Sequence, residues 1–118
     1  MPIETVGSAE AILCLMSRFQ ELRGAGPNLQ AVWSEIVAYT NQGGKYKFYT
    51  LADYDPGKPA GEFLTDLGEL AARGYMRPLP DGILEVTALG RCFAFAKKLP
   101  GSLLPLEEEI NKRALASV

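Results

Sequence analysis

Apolar residues recur at three- and four-residue spacing in several separate stretches, and each stretch predicts a helix with one buried face. Ile12, Leu15, Met16, Phe19 and Leu22, with Leu13 beside them, mark a first helix over residues 8–23; Ser8 is its predicted cap, Glu10 lies in its first turn and Gly24 stands just past its end. A second runs over residues 29–41 behind an Asn28 cap, with Leu29, Val32, Trp33, Ile36, Val37 and Tyr39 or Thr40 inward, and Gly43 and Gly44 close it. Phe63, Leu67, Leu70 and Ala71, with Leu64 at the edge, predict a third helix that has Pro59 in its first turn and Gly74 as its left-handed stop. Thr87 opens a fourth to about residue 99, with Leu89, Cys92, Phe93 and Ala96 inward and Phe95 off that stripe. Pro105 begins a last one, with Leu106, Ile110 and Ala114 on one face.

Two stretches follow a different rule. Residues 75–77 extend, Pro80, Asp81 and Gly82 turn, and residues 83–87 return: a hairpin, because Asp-Gly supplies the positive φ such a turn needs. Residues 45–49 alternate, with Tyr46 and Phe48 on one side and Lys45, Lys47 and Tyr49 on the other, and predict a short strand paired with residues 83–87. Thr50 then caps a single helical turn over residues 51–54, and Asp55, Pro56 and Gly57 turn the chain into the third helix. The expected class is mainly α with a small β-hairpin (α+β). It is expected as a single domain over residues 1–118, with helices 8–23 and 103–116 as packing or dimerisation extensions.

A helix carrying Leu67, Leu70, Gly74 and Tyr75, a hairpin at residues 80–82, and Thr87, Leu89, Gly90 and Arg91 opening the next helix resemble the winged helix-turn-helix superfamily, in particular its MarR-like and PadR-like regulators. The match covers about a quarter of the chain. It implies a winged helix with extra terminal helices, a helix-turn-helix over residues 50–74, and flanking helices that form a two-fold dimer. The scaffold serves DNA binding, RNA binding and protein assembly alike.

Composition narrows the chemistry. At 118 residues, 47% hydrophobic and 22% charged, the chain has ordinary globular values, and its longest uninterrupted apolar run, residues 11–16, is far short of a bilayer span. The first ten residues lack the ordered basic, apolar and cleavage regions of a secretion signal, so the expected location is cytoplasmic. With no His and two Cys, the usual zinc ligand sets cannot be assembled and the commonest general base is missing. Cys14 and Cys92 are expected buried and reduced. Gly24–Gly26 and Gly43–Lys45 lack the further residues of dinucleotide and phosphate loops. No catalytic residue, cofactor or metal site is expected, and the chain is read as non-enzymatic.

The outward side of the third helix decides between partners. Glu62, Asp66 and Glu69 form an acidic stripe there, joined by Thr65, and each carboxylate brought near a phosphate would add repulsion of ~1 kcal/mol. The net charge of −2 and the Asp81 turn point the same way. This face, Glu62, Thr65, Asp66 and Glu69, is the expected protein-binding surface. The competing nucleic-acid patch is Lys45, Lys47, Tyr49, Lys58 and Arg77. A homodimer is expected through Leu15, Phe19, Leu22, Leu106 and Ile110, although the terminal helices could instead cover one another within one chain. The leading reading is a dimeric, non-catalytic protein-interaction or regulatory adaptor; the alternative is a MarR/PadR-like DNA-binding regulator.

Overall fold

The computed structural model describes residues 7–43, 48–49, 55 and 57–96. Four helices and a two-stranded antiparallel sheet follow in the order α1 (Ser8–Arg23), α2 (Leu29–Asn41), α3 (Gly61–Ala72), β1 (Met76–Pro78), β2 (Leu84–Val86) and α4 (Ala88–Ala96). The mainly helical α+β class is therefore as expected. The last predicted helix and the single turn at residues 51–54 lie outside the described residues.

Helix α1 is the centre of the core. Its six residues from Ala11 to Met16 are all buried, so the helix is enclosed around its whole circumference there, against α3, α4 and β2. A helix that is apolar all round has to be covered all round. Gly24, at φ 79°, ends it and donates its N–H to the Gln20 carbonyl at 2.7 Å. The expected Ser8 cap is not made: Gly7 takes the cap position, and the Ser8 hydroxyl is spent elsewhere.

The Asn28 cap and the Gly74 stop are those the sequence predicts. Asn28 accepts the Gln30 N–H at 2.9 Å and begins α2. After α3, Gly74 at φ 79° lets the chain turn back, its N–H reaching the Ala71 carbonyl while the Tyr75 N–H reaches that of Leu70, each at 3.0 Å. Pro59 stands one residue before the Ala60 cap of α3 rather than inside its first turn. Trp33 packs on Phe63 with ring centroids 5.2 Å apart, and its indole N–H donates to the Asp55 carbonyl at 2.7 Å, which satisfies the polar edge of a buried ring.

Of the strand expected over residues 45–49, only the last two residues can be followed. Phe48 and Tyr49 are not in a strand, residues 45–47 lie outside the described residues, and the outer edge of β2 already has other partners. Leu84 N–H donates to the Pro27 carbonyl at 2.8 Å, Asn28 bridges Ile83, and the Gln20 amide pairs with both backbone groups of Val86, accepting at 2.7 Å and donating at 2.9 Å. One side chain of α1 thus does what a neighbouring strand would do.

Helix α4 is rotated from its expected orientation. Gly90 and Ala94 face inward and Phe93 is half-buried, while Leu89, Cys92 and Ala96 turn outward beside Phe95. The cause is steric: a Cβ on Gly90 would lie 2.0 Å from the Tyr75 carbonyl oxygen, so the helix sits directly on the backbone before the hairpin. Small residues make this contact, and the larger apolar ones are left outside. Cys92 is accordingly exposed, whereas Cys14 is buried.

Two outcomes are expected in urea unfolding. Replacing Gln20 by Ala leaves the Val86 N–H and carbonyl without their partner and should cost about 2 kcal/mol. Gly90→Ala should cost about 3 kcal/mol through the forced backbone shift, whereas Gly68→Ala, where a Cβ meets nothing within 4 Å, should gain about 0.5–1 kcal/mol from helix propensity.

Candidate functional site

The outward side of α3 is the surface on which the expected partner contacts fall. Phe63, Leu67 and Leu70 point inward, as their spacing requires, and leave Glu62, Leu64, Thr65, Gly68, Glu69 and Ala72 exposed. Glu62 and Glu69 therefore border a strip of small and apolar residues whose largest member, Leu64, is 46% exposed. Thr65 is its only polar side chain able to read a base edge.

Asp66 departs from the expected stripe. It is half-buried, and its Oδ2 accepts hydrogen bonds from the Ser8 and Tyr49 hydroxyls, both at 2.6 Å. These bonds tie the start of α1 and the segment at Tyr49 to the middle of α3, across 58 and 17 residues of sequence. Asp66 thus belongs to the framework that holds α3, and the outward carboxylates are Glu62 and Glu69.

The proposed basic patch is not assembled among the described residues. Tyr49 gives its hydroxyl to Asp66, and its ring lies 6.4 Å from that of Trp33. Arg77 sits opposite Glu85 in the β1–β2 register and forms an ion pair with it, which neutralises the one cation of the strands. Lys58 is exposed in the turn before α3; Lys45 and Lys47 lie outside the described residues. The hairpin is also held down. The Leu29 N–H donates to the Gly82 carbonyl at 2.8 Å and the Asn28 amide to that of Asp81 at 3.4 Å, so the tip rests against the start of α2.

The residues expected to form a dimer face are placed differently again. Leu15 is 3% exposed and belongs to the core; Phe19 and Leu22 are half-buried. The Arg23 guanidinium covers the Phe19 ring at 5.7 Å from its centroid. Leu106 and Ile110 lie outside the described residues.

One concavity escaped the sequence reading. Residues 7–10 at the start of α1, with Asp66, Glu69, Leu70, Arg73, Tyr75 and Phe93, line an open cleft of about 240 Å³. Tyr75 and Phe93 stack along one wall, centroids 4.6 Å apart. This is below the roughly 300–1,000 Å³ usual for small-molecule sites. The Ser8 hydroxyl in its wall donates to Asp66 Oδ2. Among the described residues no group of three or more His, Cys, Asp or Glu converges as a metal site, and no helix is long and apolar enough to cross a membrane.

Compared with known proteins, the chain matches no protein-family model, no curated protein and no solved structure.

The division between framework and surface carboxylates is measurable. Asp66→Ala should destabilise the fold by about 2 kcal/mol, because two hydroxyls lose a charged acceptor, and Asp66→Asn should recover a large part of that. Glu62→Ala and Glu69→Ala should each stay within about 0.5 kcal/mol of the parent. Chemical denaturation of the four variants checks both statements.

Proposed function

We propose that this chain is a winged-helix module that works as a non-catalytic, homodimeric adaptor and presents the outward face of α3 to a protein partner. The winged-helix reading is supported by the order of the elements. A helix pair, here α2 and α3 rather than residues 51–54 and α3, is followed directly by the hairpin and then by α4. The bridge between Asn28 and Ile83 adds to it by joining the segment before α2 to the hairpin.

The observation that carries the choice of partner is the chemistry of α3's exposed face. A helix that reads a duplex needs cations for the phosphates and amide or guanidinium groups for base edges. This one offers Glu62 and Glu69 along one side of Leu64, Thr65, Gly68 and Ala72. The short hairpin, with Asp81 at its tip and Arg77 paired to Glu85, adds no free cation to that side. A strip of small and apolar residues flanked on one side by carboxylates suits close approach by another protein, in which the apolar part excludes water and the flanking charge selects the partner.

The DNA-regulator reading rests on the same element order and would draw its charge from Lys45, Lys47 and Lys58. A titration against duplex genomic fragments at physiological salt separates the two. The adaptor reading expects only weak binding that does not distinguish sequences. Specific binding whose salt dependence falls when Lys45, Lys47 and Lys58 are changed to Ala would overturn it.

A further inference from the structure

We draw no further inference here: the strongest candidate, the open cleft of about 240 Å³ between the start of α1, the end of α3 and the stacked Tyr75 and Phe93 rings, sets Glu10, Asp66 and Glu69 against Arg73 and so selects no ligand by charge, and nothing among the described residues shows what fills it.

Discussion

A three-residue strand with a neighbour on only one side leaves backbone groups that must be satisfied, and the way β2 meets this demand organises the molecule. Its outer edge is closed by the Gln20 amide, the Pro27 carbonyl and the bridge to Asn28. Each of these lies on a different part of the chain: the last turns of α1, the connection, and the cap of α2. Satisfying one strand therefore fixes where α1 ends, how the chain crosses to α2 and where the hairpin tip rests. Gly26 shows how tight the crossing is, because a Cβ there would fall 2.0 Å from the Leu84 carbonyl oxygen.

Much of the secondary structure was legible because it depends on local rules. The bounds of α1 and α2, the Asn28 cap, the left-handed glycines at 24 and 74 and the hairpin turn all follow from signals within a few residues. The orientation of α4 was not legible, because the rule that large apolar residues face inward fails where a helix packs on another segment's backbone. Gly90 and Ala94 look featureless in a hydrophobic pattern, yet their lack of bulk sets the rotation of the helix. The edge of β2 was hidden for a related reason. A Gln within an amphipathic helix gives no sign that its amide will stand in for a strand 66 residues later.

The α3 face was legible in part. The spacing of Phe63, Leu67 and Leu70 correctly placed Glu62, Thr65 and Glu69 outside. It could not show that Asp66, at the margin between the two sides, would be drawn down by hydroxyls from two distant segments. The distinction changes the outward surface: the two exposed carboxylates, Glu62 and Glu69, are seven residues apart on one flank of the strip, and the acid between them is withdrawn. Arg77 is a parallel case on the hairpin. Its charge is visible in the sequence, but its neutralisation depends on a register that places Glu85 directly opposite.

The cross-strand bonds from Leu79 to Ile83 and from Thr87 to Tyr75 fix which way each strand residue turns its backbone, and Met76 and Pro78 face away from β2. Proline has no N–H to offer, so the outer edge of β1 carries a single ladder donor, that of Met76. The opposite edge is occupied by Gln20 and by the carbonyl of another proline, Pro27. A sheet finished in this way resists growth by strand addition, the route by which small β-sheets recruit extended peptides or polymerise into fibrils. The hairpin thus offers few ladder groups to an incoming strand, and the broader side-chain surfaces among the described residues are those of the helices.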